Sequence, residues 1–302
     1  MTSLLNALPG ACAQGLIWGI MAIGVYITYR VLDVPDLTVD GTMCTGGAVC
    51  IMLMINGCPL WLALCAAFCV GMLAGIVTGI LHTTMGIPAI LAGILTQLGL
   101  YSVNLRIMGD KANQAISVDK YDLFVSLRYI NKTITVVILF TLVLIGILYW
   151  FFGTELGSSI RATGCNEQMA RAQGINTDAN KMIGLALSNG IVALSSALLA
   201  QYNGFVDVNM GRGAIVVGLA AVIIGQVVFK RIKGNFAFKL VAVSCGAIIY
   251  YMVIQVVISL KLLSTNDLKL LSAIIVAIFL SVPHLQKKYL VKMWRKAGGN
   301  NA

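Results

Sequence analysis

The sequence predicts an all-α, polytopic membrane protein with about nine transmembrane segments. Three observations predict it. Of 302 residues, 59% are hydrophobic and only 11% are charged, where soluble domains carry about 25% charged residues. Mean hydropathy is +0.91. Two whole stretches, Leu60–Leu81 and Thr133–Phe152, hold no charge at all. In hydrocarbon every backbone polar group must bond internally, so apolar runs of this length read as helices.

The segments follow in order at 10–30, 41–57, 60–81, 87–105, 133–152, 182–202, 214–229, 236–260 and 268–284. The first runs directly into its span with no Lys or Arg before it, so no cleavable leader is predicted. The second is short, rich in Gly and Thr, and preceded by Asp33, Asp36 and Asp40. Pro35 breaks a helix there, and Thr38 to Asp40 can start one. That pattern fits either a simple inter-helix turn or a broken helix, which membrane depth allows only beside protein or a wet cavity. Gly15 and Gly19 are four apart, and Gly71, Gly75 and Gly79 form a ridge on one helix face. Such ridges let helix backbones touch, within one chain or across a dimer seam.

Net charge is +10, but the positive residues sit at segment ends, which excludes a nucleic-acid surface. The tail after Pro283 holds Lys287, Lys288, Lys292, Arg295 and Lys296 and no acid. It reads as a cytoplasmic flank facing anionic membrane lipid. With the polar loop Gly153–Lys181 placed inside, Lys230, Arg231, Lys233 and the tail are also inside. The loop 106–132 then falls outside despite Arg106, Lys111, Lys120, Arg128 and Lys132. Nine crossings put the N-terminus outside; a re-entrant second segment would put it inside. One permease-sized unit, 1–302, is predicted, with a basic tail at 285–302.

Cys65 and Cys69 are four apart, which is not a redox or zinc spacing, and they read as small buried hydrophobes. His82 and His284 lie far apart at segment ends, so no metal site is predicted. Gln97, Asn104, Ser188, Asn189, Ser195, Ser196, Gln201 and Gln226 lie within or at the ends of spans. Uncharged polar groups there line a solute path or hold helices together. With Asp40 and Thr42 from the second segment, Gln97, Asn189, Gln201 and Gln226 form the candidate translocation path. No ionisable residue is expected in mid-span, which argues against a proton- or ion-coupled carrier.

The polar loop carries the most specific signal. Asn166 caps a short helix with Glu167 in its first turn, and Gly174 stops it. Met169, Ala170 and Ile175 are its apolar contacts, with Arg171 on a polar side. A helix this short does not persist alone in water, so something must pack on it.

The run Gly157-Ser-Ser-Ile-Arg161-Ala-Thr-Gly164-Cys-Asn166-Glu-Gln-Met169-Ala-Arg171-Ala-Gln-Gly174-Ile-Asn176 resembles the cytoplasmic coupling loop of the branched-chain amino acid and ribose type permeases of bacterial ABC importers. The 36–47 and 204–225 regions resemble that family more loosely, with Gly218 and then Gly225-Gln226 where it usually has Gly-Gly-x-Gly. Within the family the chain is similar to an amino acid branch, for aromatic amino acids. The resemblance implies a multi-pass protein of the bacterial cytoplasmic membrane. It implies two permease copies, cytoplasmic ATPase subunits docked on the loop, and an extracytoplasmic solute-binding protein. ATPase contact then falls to Arg161, Asn166, Met169, Arg171 and Gly174. ATP and magnesium belong to the partner ATPase. This chain has no Gly-x-x-x-x-Gly-Lys-Ser/Thr loop, is not expected to be an enzyme, and is expected to hold no cofactor. A membrane enzyme would need a His or nucleophile beside Asp33, Asp36 and Asp40. A channel or scaffold without ATP coupling would have no use for the structured loop.

Overall fold

The computed structural model describes residues 2–117, 121, 123–229 and 235–259, with isolated positions between 270 and 281. The predicted ninth segment lies largely outside the described residues. Lys230, Arg231, Lys233 and the basic tail lie wholly outside them. The other eight segments are all helices. They are α1 (Thr2–Tyr26), α2 (Val39–Ile55), α3 (Leu60–Thr83), α4 (Ala89–Ile107), α5 (Ile130–Gly153), α8 (Thr177–Asn203), α9 (Ala214–Val228) and α10 (Phe236–Ser259). Two further helices, α6 (Glu155–Cys165) and α7 (Glu167–Ala172), occupy the polar loop. A π-helical turn, Ile27–Leu32, extends α1. Six helices are long and apolar enough to cross a membrane; α2 and α9 are shorter.

The long helix α8 is the axis of the bundle. The Gly71–Gly75–Gly79 ridge of α3 lies on it: a Cβ at any of these positions would meet Ala193, Leu185 or Met182. Gly15 and Gly19 press α1 against Ile248 and Ser244 of α10 in the same way. Both ridges therefore serve packing within the chain. Hydroxyls add directional bonds. Ser188 Oγ donates to the Gly24 carbonyl at 2.7 Å and Ser195 Oγ to that of Ile17 at 2.7 Å. Ser196 Oγ donates to the Met43 carbonyl and accepts from Gly47 N. Small residues with hydroxyls replace the hydrophobic drive that hydrocarbon cannot supply.

These contacts fix direction. Tyr202 Oη, at the end of α8, reaches the Gly10 carbonyl near the start of α1. Leu32 packs on Gly184 and on Gly164 of the polar loop. The N-terminal part of α1 therefore lies at the end of the bundle opposite the polar loop. Residues 33–59 carry the chain back to that far end, where Trp61 stacks edge-on against Phe124, whose backbone N–H bonds to Gln201. Residues 33–59 thus run from one end of the bundle to the other, with α2 starting midway. The far end also holds a feature without sequence warning. Strands β1 (Asn113–Ala115) and β2 (Phe205–Asp207) pair antiparallel and tie the α4–α5 loop to the exit of α8.

After β2 the chain turns back into the bundle. Gly211 packs on the Asp40 carbonyl, and α9 starts there. Its 15 residues reach about 22 Å, short of a hydrocarbon core of roughly 30 Å. It ends near Tyr26, Arg30 and Phe238, towards the polar-loop end. Its N-terminus therefore lies inside the bundle.

Three expectations need correction. Asp36 is 2% exposed, so a buried ionisable group does exist. Its carboxylate accepts Thr38 N–H at 2.9 Å and the Asn189 amide at 2.7 Å, which is what makes burial tolerable. Cys65 and Cys69 lie exposed on the outer face of α3, not in the core; the interior face of that helix is taken by its glycines and alanines. The polar loop holds two helices, not one, because Thr154 caps Gly157 N–H before Asn166 caps again.

Candidate functional site

The polar loop is built as a rigid platform. Three side-chain caps start its helices. Thr154 Oγ1 accepts from Gly157 N, Asn166 Oδ1 from Met169 N at 3.0 Å, and Asn176 Oδ1 from Ala179 N at 3.1 Å. Each satisfies an orphan N–H of a first turn. Gly174 has φ 78°, the left-handed conformation that ends α7 without a Cβ penalty. Gly164 presses α6 onto the end of α1, since a Cβ there would collide with the Val31 carbonyl oxygen and Leu32. Asn180 bonds back to Thr163 and Ser159 of α6 at 3.0 and 3.2 Å.

An ionic cluster locks α7 to α8. Glu167 Oε1 accepts Lys181 Nζ at 2.7 Å and the Arg171 guanidinium at 3.0 Å. The same guanidinium reaches Asp178 at 3.0 Å and Thr177 at 2.7 Å. Hydrogen bonding from Lys181 holds the Glu167 carboxyl below its ordinary range, with burial working against it and the Lys181 and Arg171 charges adding to the lowering. What packs on the short helix is therefore the chain's own α8. Arg171 serves as an internal brace, contrary to a free polar face. Ala170 is buried, while Met169 stands 63% exposed. Arg161 and Asn166 are also exposed, and Gly174 lies at the open edge of the platform.

The second group of predicted residues divides. Thr42, Asn189 and Gln201 are fully buried and bonded. Thr42 Oγ1 donates to Asn189 Oδ1 at 2.8 Å, and Gln201 Nε2 lies 3.6 Å from Cys50 Sγ. They belong to a polar network that holds α2 on α8. The Thr38, Thr78 and Thr96 hydroxyls extend it to α3 and α4 at 2.7 and 2.9 Å. Gln226 lines a groove near the polar-loop end with Arg30 and Lys239. Asp40 and Gln97 share a cavity of about 270 Å³ with Gly41, Cys44, Tyr101, Asn104 and Arg212, among others. Asp40 caps α9 there, its two oxygens accepting Gly213 N–H at 2.9 Å and Ile215 N–H at 3.0 Å. Gln97 is near the middle of α4, so the cavity sits at mid-bundle. Sequence reasoning passed over Arg212. The available signal was the Gly211-Arg212-Gly213 turn before a segment too short to cross.

A helical bundle with six membrane-length helices, an open cavity midway along it and a braced polar platform at one end is the architecture of a polytopic membrane protein. Comparison with known proteins places it further. Residues 9–282 match the family described as branched-chain amino acid transport system / permease component, and the chain belongs to that family. It is 40% identical to a tyrosine transport system permease protein of Clostridioides difficile, over 93% of this chain and 92% of that one. It is 36% identical to an uncharacterized protein of Rickettsia prowazekii, over 92% and 98% of the two chains. The autoinducer 2 import system permease protein LsrC of Yersinia pestis is 32% identical over 69% of this chain and 58% of its own. No solved structure matches. The chain is accordingly a multi-pass permease component of the bacterial inner membrane.

Proposed function

We propose that this chain is the membrane subunit of an ATP-driven importer for an amino acid of the tyrosine class. Two copies form the path, and ATPase subunits dock on α6 and α7. A binding protein delivers solute at the β1–β2 end. The carrying observation is the platform itself. A braced pair of amphipathic helices, pressed on the end of α1 through Gly164 and on α8 through Glu167, can pass a push into the bundle without yielding. The direction of force fits: α8 is the main neighbour of α2 and α3, and α1 packs on α8, α9 and α10. A packed bundle of this kind switches between discrete arrangements rather than deforming continuously.

The amino acid assignment rests on likeness to the tyrosine permease, whose name says what it transports. ATP hydrolysis and its magnesium belong to the docked subunits; this chain supplies path and lever and has no ATPase site of its own. Arg161, Asn166 and Met169 face the ATPase, while Arg171 and Gly174 shape the platform behind them. The test is ATP-dependent uptake of labelled L-tyrosine by proteoliposomes holding the full complex. Uptake that needs both ATP and the binding protein supports the reading. ATP-independent flux would replace it with a channel.

A further inference from the structure

We infer that the mid-bundle cavity is a recognition site for the zwitterionic head of an amino acid, with Arg212 and Asn104 as its two poles. The inference deepens the importer reading and rests on it. Among the described residues Arg212 has no ion pair or side-chain hydrogen bond. Asp40 shares the cavity, but its two oxygens accept N–H bonds from the start of α9 and form no direct ion pair with Arg212. An exposed guanidinium on the rim of a cavity, with no direct ion pair of its own, offers a bidentate partner to an anionic group.

The opposite pole is independent of it. Asn104 is 1% exposed and lines the same cavity. Its Nδ2 lies 3.4 Å from the Gly41 carbonyl, and its Oδ1 has no partner among the described residues. A buried acceptor left open is costly, so an open acceptor on a residue that lines a cavity marks a place for a donor. A carboxylate on Arg212 and an ammonium on Asn104 Oδ1 is the polarity of an α-amino acid. Leu98 and Tyr101 on α4 supply an apolar and aromatic wall for its side chain. At about 270 Å³ the cavity is at the small end of ligand pockets, roughly 300–1,000 Å³, a size that suits one amino acid.

The test uses the full chain with its ATPase subunits in liposomes, without binding protein. The probes are labelled L-tyrosine, tyramine, which lacks the carboxylate, and 3-(4-hydroxyphenyl)propanoate, which lacks the amine. The wild type should bind tyrosine at least tenfold more tightly than either analogue. Arg212→Gln should weaken tyrosine roughly 10- to 100-fold while leaving tyramine unchanged, and Arg212→Lys should restore part of the loss. Asn104→Leu should erase the preference for tyrosine over the propanoate. Equal affinity for all three probes in the wild type, or an unchanged tyrosine-to-tyramine ratio in Arg212→Gln, overturns the site. If the complex imports tyrosine with ATP while the variants bind as wild type, the site alone falls. If it imports another solute class and no amino acid, the importer reading for amino acids falls with it.

Discussion

Met169→Ala isolates docking from folding. Met169 leaves 63% of its surface open on α7. Burying a whole Met side chain is worth about 1.5–3 kcal/mol, so the part still available to a partner is worth about 1–2 kcal/mol. Its truncation should raise the Kd of the ATPase subunit for this chain roughly 5- to 25-fold. The chain's own stability should hold to within about 0.5 kcal/mol, as for any surface change away from a cap or brace. The assay is paired: Kd from titrating the ATPase subunit onto the purified chain, and Tm of the chain alone in detergent. Met169→Leu, which keeps the apolar volume, should stay near wild type. An unchanged Kd in Met169→Ala, or a fall in Tm that accounts for the loss, refutes the reasoning.

Other perturbations separate lever, brace and core. Gly164→Val drives a side chain into the Val31 carbonyl and Leu32; overpacking should cost about 1–3 kcal/mol, and proteoliposomes should hydrolyse ATP while taking up no solute. The Glu167 carboxyl titrates below its ordinary 4.5, chiefly through the Lys181 hydrogen bond. The brace is therefore complete above about pH 4.5 and lost as pH falls through the lowered folded value. Hydrogen exchange of residues 166–181 should rise across that acid window in wild type, while in Glu167→Gln it should be raised at neutral pH and flat with acid. Asp36→Ala strips partners from the buried Thr38 N–H and the Asn189 amide, at about 1–3 kcal/mol for each group left unsatisfied; a clear drop in Tm in detergent checks it.

The helices were legible because charge-free runs of span length have one physical meaning in a bilayer. The platform was legible because Asn166 and Gly174 are local signals, acting within one turn of their own positions. What escaped is long-range. Asp33, Asp36 and Asp40 read as an inter-helix turn or a broken helix, and nothing local says that Asn189, 153 residues away, makes burial of Asp36 possible. Asp40 caps a helix that starts 174 positions later in sequence (40 to 214), and no local pattern announces such a cap. Thr42, Asn189 and Gln201 look like path residues in sequence because polarity marks both lining and glue. Their bonds, Thr42 to Asn189 and Gln201 to Cys50 and Phe124 N, show that they hold α2 on α8 and the α4–α5 loop on α8. Arg171 reads as a docking charge until Glu167, Asp178 and Thr177 close around it.

The central claim is that force enters this bundle through α7 from the cytoplasmic side. Cross-linking from Met169→Cys in a background with all eight native cysteines replaced, in native membrane vesicles, tests it most directly. The account predicts a covalent adduct with the ATPase subunit that changes with ATP, and labelling by impermeant maleimide only in inside-out vesicles. Labelling from the opposite face, with no adduct to any ATPase, would contradict it.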